Sequence, residues 1–248
     1  MIDLSHIQGI LFDYGGTIDS NGVHWAEVIW QAYQAENVPV AKDIFREAYV
    51  HGERTLGKQP IIQPQHTFAD MLRIKIDIQM EWLNDGRFLP ENAPLSEWKR
   101  RIADRCYASA RIAVEHARPI IEELSERYPL VLVSNFYGNI TSVLKDFRLD
   151  AFFPGIIESA VVGIRKPDPQ IFRLGVERLQ LPADKVVVIG DSYDKDILPA
   201  RSIGCKTVWL KNTGWKESTG DETEADVTIS GFTELKPLFK QDISSVCL

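Results

Sequence analysis

Ile7–Gln8–Gly9–Ile10–Leu11–Phe12–Asp13 is an apolar run that ends in a carboxylate and passes at once into Tyr14–Gly15–Gly16–Thr17–Ile18–Asp19–Ser20. A run apolar on both faces reads as a buried parallel strand. A charge thrown out at its end, onto a double glycine, is a poor structural choice. Water solvates the charge better elsewhere, and glycine costs backbone entropy on folding. The arrangement makes sense as chemistry. The C-terminal edge of a parallel sheet is where open α/β folds bind ligands, and glycines let the backbone approach an anion.

Runs of the same kind recur at Leu130–Asn135, Gly155–Ser159, Lys185–Gly190, Lys206–Leu210 and Val227–Ile229, with helical stretches between them. Asp168–Pro169 is a good helix start, with Phe172, Val176 and Leu179 on one face; Asp194–Ser202 is a further helical stretch, closed by Gly204. Strand and helix in alternation predict an α/β fold, a doubly wound parallel sheet with right-handed crossovers. Residues 21–118 differ, having helical periodicity at Val23–Glu36, Lys42–His51, His66–Leu83 and Ser96–Glu115. Ser96 is the expected N-cap of the last, and loops rich in Pro and Gly are expected at Gly52–Pro64 and Asn84–Pro94. The expected division is therefore a core of residues 1–20 and 119–248 and a helical insert of 21–118, with linkers near Ser20–Gly22 and Ala117–Pro119.

The 248 residues, 44% hydrophobic and 25% charged, describe an ordinary globular chain. A net charge of −7, with Lys99–Arg100–Arg101 and Arg105 as the one basic cluster, argues against nucleic-acid or acidic-membrane partners. Cys106, Cys205 and Cys247 have no metal-ligand spacing and fit a reducing compartment. No apolar run has the length of a membrane span and the first residues do not read as a secretory leader, so a cytoplasmic protein is expected. The Asn212–Ala225 stretch reads as an exposed loop.

Three segments besides Asp13 carry polar groups at corresponding places: Val131–Leu132–Val133–Ser134–Asn135, Gly163–Ile164–Arg165–Lys166–Pro167–Asp168–Pro169, and Val187–Val188–Ile189–Gly190–Asp191–Ser192 with Asp196 beyond it. In this order they resemble the haloacid dehalogenase-like hydrolase superfamily, whose members are mostly magnesium-dependent phosphatases. The resemblance covers nearly the whole chain and implies a Rossmann-like core, with residues 21–118 as a type-one helical cap. It implies that Asp13 is the nucleophile, attacking phosphorus to give an acyl phosphate that water then hydrolyses. Asp13, the Gly15 carbonyl and Asp191 would ligate Mg²⁺, with Asp196 behind the metal. Ser134, Asn135 and Lys166 would hold the phosphoryl group of a small phosphorylated molecule, and Lys166 would also offset charge on Asp13.

The chain departs from the pattern at Gly15, where the superfamily's phosphatases place a second Asp that protonates the leaving oxygen. A positioned acid–base is worth about 10²–10⁴-fold, roughly 3–5 kcal/mol of barrier. Candidates to replace it are Asp19 and, from the cap, His24, His51, Glu53, Lys58 and His66. Phosphonatase-like hydrolases also lack that Asp and use a cap lysine, for which Lys58 or Lys42 would serve. Dehalogenases lack it too but need no metal, so the Asp191/Asp196 pair counts against one. A member that binds a phosphorylated ligand without turnover is the remaining alternative. Substrate identity and oligomeric state have no sequence signal.

Overall fold

The computed structural model describes residue 4, residues 6–212 and residues 225–239. Most of the Asn212–Ala225 stretch, and Cys247, lie outside the described residues. Six parallel strands form one sheet: β1 (Gly9–Phe12), β2 (Leu130–Ser134), β3 (Gly155–Glu158), β4 (Val186–Gly190), β5 (Lys206–Leu210) and β6 (Val227–Ile229), in the spatial order 3-2-1-4-5-6. Strands β1, β2 and β4 are buried at every residue, as expected where helices cover both faces of a sheet. The order reverses between β1 and β4, which puts the ligand-binding crevice of an open α/β sheet beside β1. Register sets the depth of that crevice. Phe12 lies opposite Leu132 and Ile189, so Asp13 stands level with Val133 and Gly190, with Ser134 one residue further on.

Four helices precede β2: α1 (Trp25–Ala35), α2 (Lys42–Lys58), α3 (Phe68–Asp85) and α4 (Leu95–Ser125). His24 caps α1 by accepting the Ala26 N–H at Nδ1, 3.1 Å away. Thr67 and Asp70 form a reciprocal capping box on α3. Phe68, Met71, Leu72, Ile76, Met80 and Leu83 are the buried stripe of α3, packed on α2 and α4.

Two boundaries differ from the sequence expectation. Helix α2 runs through the expected Gly52–Pro64 loop as far as Lys58. Gly52 is there to let α3 close in, because a Cβ would stand 3.3 Å from the Gln79 side chain. Helix α4 runs through the expected Ala117–Pro119 linker without a break, with Pro119 inside it. A helix-interior proline forfeits one hydrogen bond and crowds the preceding turn. Ile120, Ile121 and Leu124, all buried beyond it, and the Arg118 guanidinium, donating to the Phe147 carbonyl at 2.8 Å, hold the helix on course. Ser96 lies inside the first turn of α4 rather than capping it.

The remaining helices lie along the sheet: α5 (Ile140–Asp146), α6 (Ser159–Val162), α7 (Gln170–Leu179), α8 (Leu198–Ser202) and α9 (Leu235–Leu238). Helix α7 starts one residue later than expected, with Pro169 at the N-cap position, and Asp168 Oδ1 accepts the Gln170 N–H at 2.9 Å. Between β4 and α8 the chain makes a π-helical turn, Tyr193–Ile197. Such wide turns recur at functional sites. No helix among the described residues is long and apolar enough to cross a membrane.

Candidate active site

Asp13 follows β1 and is 5% exposed; its backbone N–H still pairs with Ile189 of β4, which fixes where the carboxylate leaves the sheet. The Lys166 ammonium lies 2.6 Å from Asp13 Oδ1 and 2.6 Å from Asp196 Oδ1. Burial disfavours its charge, but Asp13 and Asp196 outweigh burial and hold Lys166 above the ordinary lysine range. It is a fixed cation. The Asn135 amide pins it by accepting the Lys166 backbone N–H at 2.9 Å and donating to the Lys166 carbonyl at 3.0 Å. The Asn135 side chain is thus committed to Lys166, and Ser134, at the end of β2, lines the cleft beside it.

Asp191 leaves β4 opposite Asp13. Thr17, on the double-glycine turn, has its hydroxyl 2.9 Å from Asp13 Oδ2 and 3.2 Å from Asp191 Oδ1. Two glycines are needed for this closeness. A Cβ on Gly16, whose φ is +98°, would stand 2.5 Å from the Asp191 carboxylate, and one on Gly190 would stand 2.5 Å from Asp196. Gly15 is different: a Cβ there meets nothing within 4 Å, so nothing steric excludes a side chain. Asp196 sits in the π-helical turn and accepts the Ser192 N–H at 3.0 Å.

Oxygen atoms of Asp13, Asp191 and Asp196 converge within 4.8 Å of one another. The Lys166 ammonium pairs with two of these carboxylates, Asp13 and Asp196 being buried and Asp191 partly so, which leaves negative charge to be offset. Burial first, then Asp13 and Asp196, push Asp191 well above the usual carboxylate range, and burial likewise raises Asp196 despite Lys166. A hard dication with oxygen ligands answers that excess. The donor set of Asp13, Asp191 and Asp196 therefore suits a hard divalent cation such as Mg²⁺.

Asp19 lines the same cleft, 1% exposed, with Oδ1 accepting the Gly16 N–H at 2.8 Å. Burial raises its pKa to about 7, against the lowering pull of that N–H and the Trp25 indole. Of the cap candidates, His24, Glu53 and Lys58 line the cleft. Burial lowers the His24 pKa to about 4, so it is neutral at pH 7. His51 instead stacks on Trp82 outside the cleft, and His66 accepts the Gln63 N–H at Nδ1. Lys42 is also outside, 2.7 Å from Glu27.

Sequence reasoning missed Lys75 and Tyr137, which also line the cleft. Lys75 Nζ is 2.7 Å from Glu53 Oε1 and donates to the Tyr137 hydroxyl at 3.0 Å. A signal existed for the lysine. It occupies a buried position in the apolar stripe of α3, where an unpaired charge does not belong. Tyr137 had none, being one aromatic among several after β2.

Residues 7–204 match the haloacid dehalogenase-like hydrolase family, and the chain belongs to it. The chain is 37% identical over 89 residues to the glyceraldehyde 3-phosphate phosphatase of Methanocaldococcus jannaschii, a match covering 36% of this chain and 39% of that one. It is 25% identical over 239 residues to the (S)-2-haloacid dehalogenase 2 of a Pseudomonas species, covering 95% and 96%. The matched stretch thus spans only about two fifths of the phosphatase. Among solved structures, the HAD-hydrolase YfnB of Bacillus subtilis bound to magnesium superposes with a TM-score of 0.60 at 19% identity, over 95% of this chain and 99% of that one. That likeness is one of fold.

Proposed function

We propose that this protein is a Mg²⁺-dependent phosphatase of a small phosphorylated metabolite, working through an aspartyl-phosphate on Asp13. The observation that carries this reading is the convergence of three carboxylates within 4.8 Å beside the Lys166 ammonium. A dication offsets the surplus charge, and the site then suits a dianionic phosphoryl group. Displacing a halide from carbon brings no such group, and the third carboxylate would be an unexplained cost. Phosphatase names among the relatives agree with this choice.

Within that reading, Lys166, 2.6 Å from Asp13 Oδ1, offsets negative charge on that carboxylate and on the transferring group. Asp13 attacks phosphorus, the bond to the leaving oxygen breaks, and water then hydrolyses the acyl phosphate. Bound Mg²⁺ would supply charge neutralisation and orientation of the phosphoryl oxygens. Ser134 offers a hydroxyl donor, and Asn135 acts by holding Lys166. The insert, residues 21–118, is read as the cap that closes the cleft, with residues 1–20 and 119–248 as the core.

The test is steady-state turnover of p-nitrophenyl phosphate with Mg²⁺ and with EDTA. Nitrophenolate leaves without a proton, so the assay isolates the nucleophile and metal from any acid. Metal-dependent turnover is expected, and its absence from protein shown to bind Mg²⁺ would overturn the reading.

Alkyl phosphates need a proton on the leaving oxygen, and Asp19 is a cleft carboxyl outside the Asp13–Asp191–Asp196 cluster whose pKa lies near neutrality. With its pKa at about 7, the protonated form is present below pH 7 and lost above it. Turnover of glycerol phosphate is therefore expected to fall as pH rises through 7. In Asp19→Asn that alkaline limb should vanish and the rate drop about 10²-fold, with Gly15→Asp restoring part of it. A pH profile of Asp19→Asn identical to the wild type would remove Asp19 from this role.

A further inference from the structure

The cleft that holds Asp13 also carries a second polar cluster, in which side chains from three parts of the chain form a ring of contacts. Lys75 of α3 is 5% exposed, with Nζ 2.7 Å from Glu53 Oε1 and 3.0 Å from the Tyr137 hydroxyl. Tyr137, on the loop after β2, donates in turn to Glu53 Oε2 at 2.8 Å. The loop is itself fixed: Glu158 accepts the Gly138 N–H at 2.6 Å, and the Ser159 hydroxyl accepts the Phe136 N–H at 3.1 Å. All three residues line the cleft that contains Asp13, Ser134 and Lys166. That cleft is large, about 1840 Å³, with far more room than a phosphoryl group fills.

The ring is ionised. Burial opposes charge on Lys75, but Glu53 and the neighbouring tyrosines outweigh it, and Lys75 holds Glu53 below the usual glutamate range against burial. A buried ion pair is often no more stabilising than well-packed apolar residues, so its presence in a ligand cleft asks for a use. Its chemistry is specific. Lys75 has three N–H donors; one is given to the Tyr137 hydroxyl, and Glu53 stands beside the ammonium as its ion-pair partner. Glu53 Oε1 is buried and accepts no hydrogen bond among the described residues, so it keeps acceptor capacity, while Oε2 accepts from Tyr137. The ring offers a donor and an acceptor side by side with no net charge. A carboxylate or second phosphate would find the lysine already neutralised and Glu53 repelling it. A hydroxyl, which both donates and accepts, fits.

We infer that Lys75, Glu53 and Tyr137 form a hydroxyl-recognition subsite, and that the substrate class is a phosphorylated sugar or polyol rather than a phosphorylated carboxylic acid. The inference rests on the phosphatase reading for the position of the phosphoryl group at Asp13. It requires the hydroxyl-bearing end of the ligand to reach across the cleft to α2 and α3. Tyr137 then reports ligand length from the core side, and Lys75 and Glu53 from the insert.

The experiment measures calorimetric affinity, with Mg²⁺ present, for the non-hydrolysable phosphonate analogue of sorbitol 6-phosphate, with ethylphosphonate as the hydroxyl-free control. Wild-type protein should prefer the polyol analogue at least about tenfold. Tyr137→Phe, which keeps the aromatic side chain but removes the hydroxyl joining the cluster, and Glu53→Gln should each erase most of that preference. Hydrolysis of the polyol phosphate relative to p-nitrophenyl phosphate should fall by a similar factor, through KM. Equal affinities in the wild type, a preference unchanged in both variants, or a stronger preference for 2-phosphoglycolate would each overturn the subsite. Because binding is read without turnover, absent hydrolysis of p-nitrophenyl phosphate would refute the phosphatase reading while leaving the subsite measurable.

Discussion

Asp13→Asn is expected to reduce turnover of every phosphate ester by about 10⁴-fold or more, since an amide cannot serve as the nucleophile. The substitution keeps the shape of a side chain that is 5% exposed and leaves Lys166 its second partner, Asp196, at 2.6 Å. The fold should therefore survive, and circular dichroism should match the wild type. Mass spectrometry of wild-type protein quenched during turnover should find a phosphoryl group on residue 13, and the variant should carry none. More than about a hundredth of the wild-type rate in the variant would exclude a covalent route through Asp13.

Lys166→Met is expected to damage both activity and stability. The ammonium lies 2.6 Å from two buried carboxylates, and removing it leaves them uncompensated. Breaking a buried pair from one side costs about 3–5 kcal/mol, a large share of a typical folding free energy. The pH dependence has a definite sign. Burial already raises Asp196, and Lys166 is the main force lowering it, so the variant's Asp196 rises further above its unfolded value. A carboxyl raised in the folded state penalises folding above that folded pKa, and the penalty fades as pH falls through it. Without metal, the gap in melting temperature between variant and wild type should therefore be wider at pH 8 than at pH 5. Added Mg²⁺ should narrow the gap at pH 8. A gap independent of pH would mean that lost packing against Phe172, whose ring lies 5.4 Å from Nζ, dominates instead.

The sheet was legible because its strands are buried on both faces and read as β-branched runs. The polar residues at the ends of β1, β2 and β4 were legible because a charge or hydroxyl closing such a run has little structural reason to be there. Asn135 shows the limit of that logic. Its place after β2 is as read, but its amide is spent on the Lys166 backbone, a contact across 31 residues that no local pattern encodes. The Lys75–Tyr137–Glu53 ring joins positions 62 and 84 residues apart and exists only after packing. Helix ends failed for a related reason. Gly52 and Pro119 argue locally for a break, and the burial of Gln79 against one and Ile120 and Ile121 around the other overrules them.

The unbroken α4 has a mechanical consequence. At 31 residues it is a rod of about 46 Å. Its early turns pack with α1 and α3, and it also touches the short helical turns at Asp150–Phe152 and Phe232–Glu234 on the sheet side. One of the two chain crossings between insert and sheet is therefore a stiff beam and the other the short Ser20–Gly22 segment. Pro119, which has no N–H to give, is the one residue of the beam that leaves a gap in its hydrogen-bond ladder, just where the helix passes from α1 and α3 to the sheet.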